Sequence, residues 1–486
     1  MIRPACLALL LLVLGCPSTE PDPEPTPAPV VDEGPGPLAA DVTIRRIALN
    51  QSVEVAIVQN DALVEPPAVP PVAGRGGIVR VYLDTEDGFE PRTLLAELTL
   101  RYPDGRETLY TVSESIDGPS LREDLNTTLD FGLLGEEIVP GLEVSAAVRE
   151  TSGARDGGPE TSRWPFDGEP ADIGVSDWGG VVQLAIIPVR YTADGSDRMP
   201  DVSPQQIEVL RSWMQRLYPV HSVVIDVDEE HVTELDLDGS SDAMSDLLED
   251  IRDLRGERGI PFDVYTYGMV QPAETLDDYC QGGCTTGIAY RVGNPNTHWL
   301  RSGVGIGFSG DRSARTLVHE IGHQHDRGHA PCGNPSNIDT EYPYNDARLG
   351  SWGYDAVEGS LVDPDEAADF MAYCDPIWVS DYQFAALWTR IAQVEGLSGT
   401  HAREEADWLT VSWRSDAARV RGLRRLGGAP DGAPMNGAWL GVDGEIGPAT
   451  AFFQDIADAP GSGTVFVEPP PTGAVSLRLA DRVIAL

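Results

Sequence analysis

The sequence predicts an α+β chain: a mixed helix-and-strand body set between two regions built of strands. Three observations carry this reading. Both outer regions show short apolar stretches broken by Gly, Pro and Asp, the pattern of antiparallel strands. The middle of the chain alternates wholly apolar runs with segments of helical period. A single short segment, 319–329, holds half of the chain's 8 histidines. A length of 486 residues leaves room for about three domains.

Taken in order, Arg3, the apolar run from Ala5 to Leu14 and Gly15-Cys16 have the layout of an export signal, too short to span a bilayer. Val13-Leu14-Gly15-Cys16 resembles a bacterial lipobox, which implies removal of residues 1–15 and a lipid on Cys16. An ordinary signal peptide cut elsewhere is the alternative. Residues 16–40 are rich in proline and acid and predict an extended tether, reaching about 3 Å per residue. Over 41–175, stretches such as Ile78-Val-Arg-Val-Tyr-Leu and Leu94-Leu-Ala-Glu-Leu-Thr-Leu predict a β-sandwich.

The middle region, 180–397, opens on a buried strand from Val181 to Val189. Ser203-Pro204 starts a helix with Ile207, Leu210, Met214 and Leu217 on one face. A second helix runs from Asp242 to Arg255. Strands around Val264, Gly287 and Gly303 precede a third helix that starts near Asp311 or Ser313. Ser380-Asp381 caps a last one carrying Phe384, Leu387, Trp388 and Ile391. Beyond it, 403–486 returns to strand patterns such as Trp408-Leu-Thr-Val-Ser-Trp and Val475-Ser-Leu-Arg-Leu, a second β domain.

Composition mainly excludes. The net charge of −44 disfavours nucleic acid and anionic lipid as partners. All 34 basic residues are arginine, which rules out every mechanism that needs a lysine. There is no Gly-x-Ser-x-Gly. The acidic stretch Asp236-Leu-Asp-Gly-Ser-Ser-Asp is a calcium candidate without the full loop pattern, and a solvated acidic loop is the alternative.

The histidine segment reads His319-Glu-Ile-Gly-His-Gln-His-Asp-Arg-Gly-His. His319 and His323 are one helical turn apart, so both rings leave one face and can share a metal ion. Glu320 stands beside the first ligand, where a general base for a bound water belongs. His329 can return as a third nitrogen ligand only if the helix stops after about His325. Three protein ligands with a position left to water describe a catalytic zinc site.

This spacing resembles that of the metzincin zinc endopeptidases, His-Glu-x-x-His-x-x-Gly-x-x-His followed by a methionine turn. The sequence departs at Asp326, where the family has glycine. Aspartate is one of the few side chains that adopts the left-handed conformation needed there, and a direct role of its carboxylate at the metal is the alternative. His325 points away from the metal on a continuing helix, as a supporting or surface residue. Asp369-Phe-Met-Ala-Tyr-Cys resembles the methionine turn, which implies Met371 beneath the metal and Tyr373 as a ligand or transition-state donor. His329-Ala-Pro-Cys-Gly, Tyr342-Pro-Tyr, Trp352-Gly-Tyr-Asp and Trp378-Val-Ser-Asp-Tyr resemble a subgroup of secreted bacterial metzincins, some of which cut mucin-like glycoproteins. The likeness covers roughly 180–395.

The resemblance implies a metzincin-like catalytic domain flanked by β-sandwich-like domains. It further implies one catalytic zinc ion, peptide-bond hydrolysis by zinc-activated water with Glu320 as base, and a protein or glycoprotein substrate outside the cell. Cys332 follows the third histidine and Cys374 follows Met371, so both flank the same site and are expected to pair. Cys280 and Cys284 form the other pair, and a zinc site built from these four cysteines is the rival. Phe166-Asp-Gly-Glu faintly resembles an aspartate switch, against the default of an inter-domain turn. The alternative function is a surface adhesion or glycan-binding lipoprotein that keeps the zinc fold as a scaffold. A zinc hydrolase acting on other bonds is a third.

Overall fold

The computed structural model describes residues 36–64, 69–151, 157–396 and 406–486. The signal, Cys16 and the tether as far as residue 35 lie outside the described residues. The chain is α+β, with many strands and few helices. Strands are given below by their residues, and helices are labelled in order.

In the first region two sheets face each other across one core. One has the order Ser360–Val362, Gly353–Asp355, Val42–Gln59, Gly77–Thr85, Leu129–Leu133. The other has the order Glu107–Ile116, Arg92–Arg101, Glu143–Glu150, Arg163–Trp164. Arg92–Arg101 shows why: its alternation puts Leu94, Ala96, Leu98 and Leu100 on one face, and that face is the buried one. They meet Ile44, Ile47 and Leu49 of the opposite sheet. Gly353–Asp355 and Ser360–Val362 come from the middle of the chain, and Ser52 pairs with Tyr354. Trp378 Nε1 donates to the Ser52 carbonyl at 2.8 Å, so two of the tryptophan-containing words noted above hold the first region to the second.

The central sheet has the order Ser222–Val227, Val181–Tyr191, Val264–Val270, Ser302–Ile306, all parallel, with Gly287–Ala289 antiparallel at its edge. Five helices join it: α1 (Pro204–Leu217), α2 (Ser241–Glu257), α3 (Leu276–Tyr279), α4 (Asp311–Gln324) and α5 (Asp381–Glu395). Ser203 Oγ accepts from Gln206 N and Pro204 sits in the first turn of α1, so the start is fixed by a cap and a preset φ. Ile207, Leu210, Met214 and Leu217 are buried as their spacing requires, each contributing about 1.5–3 kcal/mol of transfer free energy. One core holds α1, α4 and α5 on one side of the sheet, and a second holds α2 on the other.

The last region is one antiparallel sheet of 7 strands, in which Gly444–Asp455 and Gly463–Val467 form a hairpin. Trp408, Leu426, Ile456 and Phe466 join the core around α2. The stripe of α2 that faces the last region carries Asp246, Glu249, Asp250 and Asp253, at helical spacing. Arg414 pairs with Asp246 at 2.7 Å, Arg424 with Asp253 at 2.7 Å, and Arg421 with Asp250. Glu249 is fully buried and accepts from Thr464 Oγ1 at 3.0 Å and from Ser412 Oγ. The last region is therefore fixed to the central body by both apolar and ionic contacts. Among the described residues no helix is long and apolar enough to cross a membrane.

Candidate metal centre

Helix α4 begins after Gly310, whose N–H donates to Gln206 Oε1 at 2.7 Å while Gln206 Nε2 donates back to its carbonyl at 3.0 Å. From Leu317 to Gln324 every residue is buried, so the helix threads the interior. Its end is a Schellman turn: Arg327 N donates to Gly322 O at 3.0 Å and Asp326 N to His323 O at 2.8 Å. Asp326 takes φ 66°, the left-handed conformation that this motif demands. The chain thereby reverses within one turn and returns His329 to the face that carries His319 and His323.

The three rings converge. Centroids of His319 and His323 lie 4.8 Å apart, of His319 and His329 5.3 Å, and of His323 and His329 4.7 Å. Each Nδ1 faces a carbonyl oxygen: His319 that of Phe370 at 2.9 Å, His323 that of Arg327 at 2.8 Å, and His329 that of Ser336. A carbonyl only accepts, so each Nδ1 carries the ring proton and each Nε2 presents a lone pair inward. Burial draws the pKa of His319 down to about 3 and also lowers that of His323, which keeps both rings neutral as ligation requires.

A fourth group closes the cluster. Asp458, in the loop between Gly444–Asp455 and Gly463–Val467, sets Oδ1 2.8 Å from His329 Nε2 and Oδ2 3.0 Å from His323 Nε2. His319 Nε2 is 3.8 Å away and has no hydrogen-bond partner. Burial works to raise the Asp458 pKa, but contact with His323 and His329 outweighs it and lowers it, which requires positive charge between the carboxylate and the rings. With the rings neutral and their Nε2 lone pairs turned inward, a cation bound between rings and carboxylate is the group that can supply that charge. Such a juxtaposition of acceptors calls for a cation between them, and the four ligand atoms lie within 4.8 Å of one another. The residues present fit a metal ion.

Glu320 is buried beside the cluster, and burial pushes its carboxyl well above the usual range. Its Oε2 has no protein partner. A side chain at Gly287 would come within 2.6 Å of Glu320 Oε1, so the glycine leaves the carboxylate its space. Glu320, His319, Tyr373 and Asp458 line a cleft of about 460 Å³ together with Arg312 and Arg315. Behind the histidines Met371 is fully buried against Gly322, where a Cβ would approach Sδ to 2.4 Å. Asp369 holds this turn by accepting from Met371 N and Ser380 N, both at 2.8 Å. The Met371 carbonyl accepts from Ala330 N at 3.0 Å, next to His329.

Residues 292–373 match the Peptidase M66 family model. The match supports a peptidase and takes in the histidine segment and the turn at Met371, while Asp458 falls outside it. No curated protein matches the chain.

Disulfides join Cys332 to Cys374 and Cys280 to Cys284, so the four cysteines are not a zinc site. Tyr373 lies at the rim, half-exposed, with its hydroxyl 3.5 Å from His329 Nε2 and donating to Asp458 Oδ1. The alternative for Asp326 is corrected: its carboxylate turns from the metal cluster and pairs with Arg291 and Arg390, each at 3.0 Å. His325 is not on the surface. It is fully buried, stacked on Tyr265 at 4.3 Å, with Nδ1 donating to the Ile321 carbonyl at 2.8 Å. The acidic stretch around Asp236 forms no metal cluster among the described residues, and Asp238 instead accepts from Ser240 N just before α2. Asp167 makes an ordinary surface turn by accepting from Glu169 N. The aspartate on the histidines is Asp458, which sequence reading missed. Its loop carries no motif that sets it apart from other hairpin connections.

Proposed function

We propose that the chain is an exported, lipid-anchored zinc endopeptidase acting on extracellular proteins or glycoproteins. The observation that carries the reading is the set of three inward Nε2 lone pairs beside a buried, unpartnered carboxylate in an open cleft. His319, His323 and His329 would hold the metal, since soft-to-borderline nitrogen donors in a three-ligand arrangement suit zinc. A bound zinc ion would supply Lewis acidity toward a water molecule and the scissile carbonyl.

The protein's own groups then divide the work. Glu320 takes the proton of the attacking water at Oε2, the oxygen left without a partner, and hands it to the departing amine. Carbonyls of Phe370, Arg327 and Ser336 lock the tautomer and angle of the three rings. Tyr373, once released from Asp458, is placed on the cleft rim to donate to the developing oxyanion. An adhesive scaffold would gain nothing from Glu320, because an unpaired buried carboxylate costs stability. Cys16 would carry the anchor, and the acidic tether would hold the enzyme off the membrane.

The test is metal content and turnover together. The protein without its first 40 residues should bind about one zinc per chain, and His329→Ala should bind it far more weakly. Zinc-free parent protein, indistinguishable from His329→Ala, would end the reading.

A further inference from the structure

The loop that carries Asp458 does more than bring a carboxylate near the histidines. Ile456 forms an antiparallel bridge with Tyr290, and Ala457 N donates to the Ala289 carbonyl at 2.9 Å. These bonds extend the edge strand Gly287–Ala289, the strand that borders the cleft. Extended peptides add to an open sheet edge in this way. Directly after the paired residues, Asp458 turns at φ 61° and sends its side chain onto His323 and His329, where it is only 8% exposed. The Tyr373 hydroxyl donates to the same carboxylate. Ile456 is fully buried in the core shared with α2, so the segment has a fixed seat.

We propose that residues 456–458 are a substrate-like plug supplied by the C-terminal domain, with Asp458 occupying the coordination position that catalysis needs open. This rests on the metallopeptidase reading above. A carboxylate binds a divalent metal more tightly than a peptide carbonyl does, so the plug outcompetes substrate while it is seated. The chain as folded is latent. Opening does not need the domain to leave: Ile456 in the core and Ser462, bonded to Asp242 of α2 at 2.9 Å, can stay while the residues between them move. It needs 457–461 to change conformation between these two anchored ends. The remainder of the cleft, walled by Arg312 and Arg315, stays open beside the plug.

The experiment uses the full chain loaded with zinc or cobalt, and titrates acetohydroxamate, a small chelator of open metal positions. Asp458→Ala should bind it at least 10-fold more tightly than the parent, with Asp458→Asn in between. The visible spectrum of the cobalt-loaded Asp458→Ala protein should change, and its peptidase turnover should rise by at least 10-fold. Asp458→Asn keeps the shape of the side chain and serves if the alanine variant fails to fold. Hydroxamate affinities within about twofold of the parent in both variants would overturn the plug alone. Loss of metal in both would also overturn it, making Asp458 a permanent ligand. A parent that takes up no metal would overturn the plug and the peptidase reading together.

Discussion

Glu320 and Asp458 are two carboxylates in one cleft with opposite surroundings: Asp458 has both oxygens engaged, Glu320 has one with nothing to bond. Glu320→Ala removes no ligand, so metal content and thermal unfolding should match the parent. Turnover should fall by about 10²–10⁴ even in an Asp458→Ala background, and unchanged turnover there would place the base elsewhere. His325 makes a separate test, because burial draws its pKa down from 6.5 to about 3. A lowered histidine pKa means the unfolded chain binds a proton that the folded one refuses. Stability is therefore lost as pH falls through 6.5 toward 3. His325→Phe keeps the stack on Tyr265 and removes that liability. In metal-free protein, chemical denaturation should show it gaining about 2 kcal/mol on the parent between pH 8 and pH 5; an equal difference at both pH values would contradict the assignment. Asp326→Gly relieves the left-handed turn but loses the pairs with Arg291 and Arg390, so it should keep zinc affinity and lose about 0.5–1 kcal/mol of stability. At this scale the sequence was informative where one helix and one turn set the geometry, as for His319, Glu320, His323 and His329. Asp458 was illegible because its place depends on how a distant hairpin docks.

At the level of elements, the turn through Met371 and helix α4 are held together by contacts that leave no slack. Gly322→Ala would drive a methyl group against Met371 Sδ and Phe370, displacing the turn whose carbonyl holds His319. A loss of about 1–3 kcal/mol is expected, together with weaker metal binding, both readable by calorimetry; a neutral outcome would show that the turn yields freely. The Cys332–Cys374 bridge closes the loop between His329 and the turn at Met371, with a separation of 42 residues. Cys332→Ser with Cys374→Ser should cost about 4 kcal/mol on the chain-entropy account. Helix starts at Ser203 and Ser380 were readable because side-chain caps are local chemistry. The α2 stripe of acids was not read as an interface, since an acidic helix face is most often simply solvated, and its arginine partners lie far along the chain.

For the whole molecule, the strand patterns located both outer regions, but not what they join. The C-terminal region supplies Asp458 to the histidine cluster, and buried polar contacts at α2 are part of what seats that region. Glu249→Ala would take the buried acceptor from the Thr464 and Ser412 hydroxyls, while Arg414 keeps Asp246, and should destabilise the docked region by about 1–3 kcal/mol. Limited proteolysis should then cut first in the C-terminal region, and a digestion pattern identical to the parent's would argue that docking rests on the apolar core alone.

The first sheet has a consequence for timing. Its strand Val42–Gln59 receives Gly353–Asp355 on one side, so the bridge from Ser52 to Tyr354 can form only after most of the chain has been synthesised. A nascent chain that has not yet reached Tyr354 carries an unpaired β-edge at Ser52 and Val53, the kind of template on which chains stick to one another. Truncations that stop short of Gly353 should aggregate on expression in a way that ones extending past Trp378 do not. The N-terminal region would then be unable to finish folding without strands delivered by the domain that follows it.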